Sequence, residues 1–365
     1  MLGSPAGPVP QRPTTHHPLP TPHPRHPPPT QRPQATDRFF ALRRNSMTLA
    51  LRLGRGETPG WIYSPATPGF FFTGGYCCKL ATAKFTVLGG VRQGAIPIAN
   101  AEQFSEETWS VLTPVPSPAR SQAAGASYRG AGLHIGGTFT SPPYFSSQVD
   151  RLWQGTWNVE TSLPAPRYAH AAASVGDAVY VVGGRDEQQQ TVDTLFEYRD
   201  GTWTTKTPQP GGGRAFGNAV GLNDDLCSVC GKSADDAPTD TCSQYSPKLT
   251  TWQARPALIT GARFGAGGFS LQSSFIIVGG NQGFGQLATQ AVKFSATGWE
   301  VAPTPIGVPR YYLTSNSDKE SGHITGGITS IGTATASHES LDTGTWRTRT
   351  SCPPPNRWHH TSTFS

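Results

Sequence analysis

Residues 167–203 read RYAHAAASVGDAVYVVGGRDEQQQTVDTLFEYRDGTW. An apolar strand runs into a polar pair, Gly176-Asp177, and a second apolar strand ends in Gly183-Gly184. A polar loop, a third strand ending at Tyr198 and a tight turn into Trp203 complete the unit. The second strand, AVYVV, shows no alternation of apolar and polar residues, so it is expected to be buried on both faces. Gly-Asp between two apolar runs is the chemistry of a tight hairpin. The double glycine marks a place where backbones pass closely or φ turns positive.

The unit recurs. Double glycines fall at 89–90, 136–137, 183–184, 279–280 and 326–327, with Cys230-Gly231 in the remaining slot. Trp109, Trp157, Trp203, Trp252, Trp299 and Trp346 keep the same beat, each preceded by Phe104, Leu152, Tyr198, Tyr245, Phe294 or Leu341. A third series, Arg120, Arg167, Arg214, Arg263, Arg310 and Arg357, is in phase with both. Three series in phase at about 47 residues mark a repeat architecture. A four-stranded sheet cannot bury both faces alone, but radial stacking buries them all. The expected fold is therefore all-β, a β-propeller of six full repeats.

This pattern of double glycine, aromatic and Trp resembles the kelch repeats of kelch β-propellers, over residues 61–365. The departures are Cys230 in a glycine slot and a weak first strand at 73–82. Trp61 stands where an outer-strand Trp belongs, TLALRL (48–53) reads as a strand feeding it, and RWHHTSTF (357–364) reads as one more innermost strand. A composite, partial seventh blade from 48–65 and 357–365 is expected, with six blades as the alternative. Residues 37–60 then serve as linker and outer strand of that closing blade.

Composition agrees with many short strands and turns: 42 glycines, 34 prolines and only 14% charged residues in 365. The formal charge of +6 is unevenly placed. Residues 1–60 hold eight arginines, no lysine and two acids, so the remaining 21 basic and 21 acidic residues cancel. Net charge gives no support to a nucleic-acid-binding face on the repeats. Residues 1–36 carry twelve prolines and four histidines and read as a disordered leader. Met47 is an alternative start. A proline-rich ligand, a His-rich metal binder and an Arg-rich transit peptide are weaker readings of the same segment. No run of eighteen apolar residues predicts a membrane-spanning helix, and the amino end lacks the pattern of a secretory signal.

Six cysteines are present: Cys77, Cys78, Cys227, Cys230, Cys242 and Cys352. Cys227 and Cys230, three apart on a strand, point to opposite faces and cannot share a metal from one strand. Cys230 and Cys242 fall on neighbouring strands of one repeat, and VCG…TCSQY resembles extracellular kelch proteins with a cross-strand disulfide there. A Cys230–Cys242 disulfide is expected, which implies a secreted protein. Six free thiols, with no secretory signal, would imply a cytoplasmic one.

No catalytic motif is found, and no metal or cofactor is called for. The arginines offer the best site. Each begins an innermost strand, so Arg120, Arg167, Arg214, Arg263, Arg310 and Arg357 should ring one mouth of the channel, most of them accompanied by an aromatic: Tyr168, Phe216, Phe264, Tyr311 and Trp358 with His359. Arginine forks read carboxylates and stack on rings. In kelch adaptors such arginines line a pocket for acidic peptides, so the resemblance implies a monomeric, non-catalytic module binding a protein or peptide partner. The opposing expectation is that each Arg ties one blade to the next through backbone carbonyls. The alternatives in function are a small-molecule enzyme on this scaffold, of the sialate-mutarotase or copper-oxidase type, and a secreted lectin-like or matrix protein. The loops 138–150, 185–193, 232–240 and 281–290 vary and are the expected carriers of specificity. Asp235, Asp236 and Asp240 are read as solvated acids rather than a calcium site.

Overall fold

The computed structural model describes residues 84–92, 96–116, 118–317, 320–330 and 332–353 fully, and the backbone of short strands within 39–72 and 357–364. Every regular element among the described residues is a strand. Two compact units divide the chain at Cys78/Lys79. In the first, Phe39–Arg44 pairs with Met47–Arg52, and Trp61–Tyr63 pairs with Phe70–Phe72.

The second unit is a six-bladed propeller, each blade a four-stranded antiparallel sheet. Blade 3 shows the plan: Ala171–Val175 innermost, then Ala178–Val182, Leu195–Arg199 and Thr202–Lys206 outermost. Blade 2 (124–160), blade 4 (218–255), blade 5 (267–305) and blade 6 (314–349) follow the same order. Blade 1 is built from both directions of the chain: Thr363–Phe364 is its innermost strand, followed by Phe85–Leu88, Ala101–Ser105 and Thr108–Val111. Thr363–Phe364 also contacts the innermost strands of blades 2 and 6, closing the circle.

The composite closure is therefore real, but it completes the first repeat instead of adding a seventh. The weak strand expected at 73–82 lies outside the described residues; the innermost strand of blade 1 is Thr363–Phe364. The segments at 48–53 and 61–63, read as outer strands of a seventh blade, pair instead within their own hairpins.

The unalternating second strands are buried throughout, and each residue's neighbours explain why. Val179 and Val181 pack with Leu133 and Ile135 of blade 2, whereas Tyr180 and Val182 pack with Leu226 and Tyr245 of blade 4. Each such side chain contributes roughly 1.5–3 kcal/mol on burial. The tryptophans lie directly across from the residues that precede them in the repeat: Phe104 opposite Trp109, Tyr198 opposite Trp203, Leu341 opposite Trp346. The indole N–H then reaches the neighbouring blade, Trp203 donating to the Thr161 carbonyl at 2.8 Å and Trp109 to that of Thr350 at 2.9 Å. The second of these bonds links blade 1 to blade 6.

The double glycine seats the next blade. Gly184 N–H donates to the Arg214 carbonyl at 2.8 Å. A Cβ on Gly183, whose φ is +66°, would stand 2.4 Å from that same oxygen. Cys230, in the first-glycine slot of blade 4, adopts the same left-handed conformation with φ +53°. It does so where the register shifts between Val229, paired with Cys242, and Gly231, paired with Thr239, so that Cys230 alone faces Asp240 and Thr241.

Candidate functional site

The arginine series does not ring the channel mouth with guanidinium groups. Arg120, Arg167, Arg214, Arg263 and Arg310 are all buried. Their backbone carbonyls tie blade to blade: those of Arg167, Arg214, Arg263 and Arg310 each accept the N–H of the second glycine in the blade before. Their side chains rivet their own blades. Arg120 pairs with Asp150 and reaches the Gln148 carbonyl at 2.8 Å and His134 Nδ1 at 2.8 Å. Arg167 donates to Thr194 Oγ1, and Arg214 to Gln209 Oε1 at 2.8 Å and to Ser228 Oγ. Arg263 donates to the Gly279 carbonyl at 3.1 Å. Arg310 pairs with Glu339 at 3.1 Å, and Glu339 also accepts the backbone N–H of Gly307. Burial lowers the pKa of each of these arginines, that of Arg310 to about 10. Buried guanidinium groups that pair within their own blade hold it together and are out of a ligand's reach. The side chains of Arg357 and Trp358, and His359 as a whole, lie outside the described residues.

What does ring the mouth is the backbone two residues past each arginine. Gln122, Ala169, Phe216, Gly265 and Tyr312 all have φ between 52° and 60°. Ala169 N–H donates to Gln122 O at 2.9 Å, Phe216 to Ala169 at 2.8 Å, Gly265 to Phe216 at 2.8 Å and Tyr312 to Gly265 at 2.7 Å. This girdle of peptide groups runs from blade to blade around the axis. Below it, the innermost strands enclose a channel of about 340 Å³, lined by small and polar residues such as Ser127, Ser174, Asn218, Ser270 and Ser315, with His170 among them.

Aromatic rings lie beside the girdle, among them Tyr168 and Phe264, which are buried, and Tyr311, which is half-buried. Phe145 stacks on Tyr168 with centroids 5.3 Å apart. Tyr312 touches Phe216 at 5.3 Å and Tyr311 at 4.7 Å, and Tyr311 meets Phe264 edge-on at 6.0 Å. Burial pushes the Tyr312 hydroxyl well above its ordinary pKa. Two cations stand among the rings, in the slot directly after the double glycine. Arg185 lies over Phe216 at 5.9 Å and Lys232 over Phe264 at 4.5 Å. Both pair with Asp236, through Oδ1 and Oδ2 respectively. Asp236 is thus engaged by two cations, and Lys232 above all holds its pKa below the usual carboxylate range.

Sequence reasoning missed Arg185 and Lys232 as a pair. The signal was available: the slot after the double glycine reads Thr138, Arg185, Lys232, Asn281 and Ile328, changing in every blade. Some of the surrounding loops carry an exposed apolar side chain. Phe284 is fully exposed, and Tyr144 and Ile259 are about half exposed (51% and 54%). Gln282 Nε2 donates to the Thr260 carbonyl at 2.7 Å, joining the loop of Phe284 to the segment of Ile259.

The expected Cys230–Cys242 disulfide is not formed; both are free, buried thiols, as is Cys227. The bulge explains it. Cys242 lies opposite Val229, and Cys230 is displaced from the ladder, its Sγ 3.5 Å from Asn218 Nδ2. Two buried histidine contacts lie nearby: His134 Nδ1 is 2.8 Å from Arg120 Nη2, and ring nitrogens of His323 and His338 are 3.0 Å apart.

Comparison with known proteins agrees with this architecture. The kelch motif model matches residues 166–208. Human Kelch-like protein 33 is 29% identical over 162 residues, a match spanning 42% of this chain and 30% of that protein. Among solved structures, that of YjhT superposes with a TM-score of 0.62 at 15% identity, covering 74% of this chain and 97% of that one.

Proposed function

We propose that this six-bladed propeller, one repeat of which matches the kelch motif, is a non-catalytic interaction module, holding a protein or peptide segment against the aromatic mouth of its channel. The observation that carries this reading is the fully exposed Phe284, together with Tyr144 and Ile259, on loops surrounding that mouth. Large apolar side chains grouped on loop tips of a rigid scaffold are what a partner's surface covers. Human Kelch-like protein 33 supports the reading at the level of the repeat family. The recognition chemistry differs from that expected of an arginine ring. The rings of Phe145, Phe216, Tyr311 and Tyr312 offer flat, half-buried faces suited to apolar and aromatic anchors. The arginines stabilise the frame on which those rings sit.

The test is a quantitative capture experiment. Wild-type protein and the triple variant Tyr144→Ser, Ile259→Ser, Phe284→Ser are compared on the same lysate, with circular dichroism confirming that both are folded. Partners retained by the wild type should be lost from the variant. Identical capture profiles from two folded proteins would refute this face as the binding surface. A second reading, a small-molecule enzyme, draws on the channel of about 340 Å³ with His170 in its wall. It would be favoured by turnover of a sugar that disappears in His170→Ala.

A further inference from the structure

We propose that the segment held at the mouth is proline-rich and arginine-bearing, an extended polyproline II stretch whose rings lie on the aromatic row of blades 4 to 6 and whose cations meet the acids of the loops beside it. The inference rests on the interaction reading above and names the chemistry of the partner.

The row is a built feature, and one glycine makes room for it. Along the girdle, blade 5 carries Gly265 where blades 4 and 6 carry Phe216 and Tyr312. A Cβ at Gly265 would stand 2.7 Å from Tyr312 Cδ1. With no side chain there, Tyr312 lies across blade 5 and reaches Phe216, ring centroids 5.3 Å apart. Tyr311 continues the row 4.7 Å beyond Tyr312, and Phe264 flanks both tyrosines. Phe216, Tyr311 and Tyr312 are only half-buried, so part of each remains open to a ligand.

The two centroid steps make a row comparable in length to one turn of polyproline II, three residues at roughly 3.1 Å each. A segment in that conformation presents proline rings at that repeat and carbonyls that make no internal hydrogen bond. Flat aromatic faces take the rings, and phenolic hydroxyls, which Tyr311 and Tyr312 both bring, donate to carbonyls. The segment is preformed and loses little conformational entropy on docking.

Charge sets the sign of the residues between the prolines. The mouth's own cations, Arg185 and Lys232, both pair with Asp236. Asp186, Glu187 and Asp235 lie on the same two loops and form no ion pair among the described residues; Glu187 and Asp235 are exposed. Asp186 accepts the N–H groups of Gln188 and Gln190, and Asp235 accepts from Ser233 Oγ, so both carboxylates are held in place. The loops therefore carry surplus negative charge, which draws a basic ligand and repels an acidic one.

The experiment titrates a fluorescein-labelled peptide, Arg-Pro-Pro-Arg-Pro-Pro-Arg-Pro-Pro-amide, into the folded full-length protein and reads anisotropy. Its period of three puts the arginines along one edge and the prolines on the other two. The wild type should bind it saturably. The peptide with Ala for every Pro keeps the charge and should bind roughly tenfold more weakly, the scale of two ring contacts. The peptide with Glu for every Arg should not bind. On the protein side, Glu187→Gln with Asp235→Asn should weaken binding roughly fivefold and flatten its salt dependence, the scale of two exposed ion pairs. Tyr311→Leu with Tyr312→Leu should lose the peptide while circular dichroism stays native, and the peptide variants decide the matter even if that protein does not fold. Equal binding of the Ala peptide, binding of the Glu peptide as tight as that of the Arg peptide, or no binding of the Arg-Pro-Pro peptide by the wild type would overturn the proposal. A wild type that ignores this peptide yet retains partners lost from the loop-tip variant would overturn this chemistry and leave the interaction reading standing.

Discussion

Acid should open this propeller at the seam between blades 6 and 1, and His338 sets the size of the effect. His338 lies in a buried nest of rings: Phe104 at 4.6 Å, Trp109 at 5.5 Å and Phe85 at 5.7 Å, all from blade 1, with His323 at 5.3 Å. Burial first, and His323 second, depress its pKa to about 3 from an ordinary 6.5. A histidine whose folded pKa is lowered takes up its proton preferentially in the unfolded chain. Its neutral form therefore stabilises the fold fully above pH 6.5, and that contribution drains away as pH falls toward 3. Between pH 7 and pH 4 the loss is about 3 kcal/mol, at about 1.4 kcal/mol per pH unit through most of the range. That is a large fraction of a typical net stability of about 5–15 kcal/mol. Urea unfolding from pH 7 to pH 4 measures it, with His338→Phe as reference, since phenylalanine suits the aromatic nest and cannot titrate. His134, also depressed by burial, and every carboxylate are common to both proteins and drop out of the difference. Wild-type stability should fall more steeply than the variant's by about 3 kcal/mol over the range. Hydrogen exchange at pH 4 should show 101–105 and 338–342 losing protection early. Parallel pH profiles for the two proteins would refute the reasoning.

The remaining predictions concern the frame. Gly183→Ala should cost about 3 kcal/mol, the sum of a clash with the Arg214 carbonyl and a positive φ, against about 1 kcal/mol for Gly201→Ala, where a Cβ meets nothing within 4 Å; chemical denaturation of both decides. Glu339→Gln should cost about 3–5 kcal/mol by stranding buried Arg310, and the double change Arg310→Met, Glu339→Gln should recover part of it, as read from thermal melts. Without reductant, Cys227, Cys230 and Cys242 should resist a thiol reagent in the native protein, because burial raises the pKa of Cys230 and lifts those of Cys227 and Cys242 to about 12. All three should react on denaturation, and peptide mapping that finds Cys230 joined to Cys242 would count against the bulged geometry.

What the repeat made visible in the sequence is what every blade must do alike. The apolar second strands, the Trp opposite its aromatic and the double glycine receiving the next blade all leave a periodic trace, because the same contact is made around the circle. The arginines are periodic for the same reason, which is why their regularity pointed to architecture and their chemistry misled. Arg185 and Lys232 escaped notice because the slot after the double glycine carries no repeated contact and so no repeated residue. Blade closure was half legible: an extra innermost strand near 357–364 and a weak one near 73–82 are both visible, but only the pairing of Thr363–Phe364 with Thr86 and Val87 shows which strand lies innermost in blade 1. The Cys230 bulge was hidden because a one-residue offset in a ladder leaves the spacing of the cysteines unchanged.

The composite blade gives the molecule a timetable. While the chain is being made, blades 2 to 6 can form in order of synthesis, each on the one before. Blade 1, although most of it emerges earlier, must wait with three strands until residue 364 has left the ribosome. Until then its inner edge, Phe85–Leu88, is an open template for any other strand that reaches it. The first blade to be translated is therefore the last to be finished, and its unfilled edge is the place where newly made chains are most open to pairing with one another.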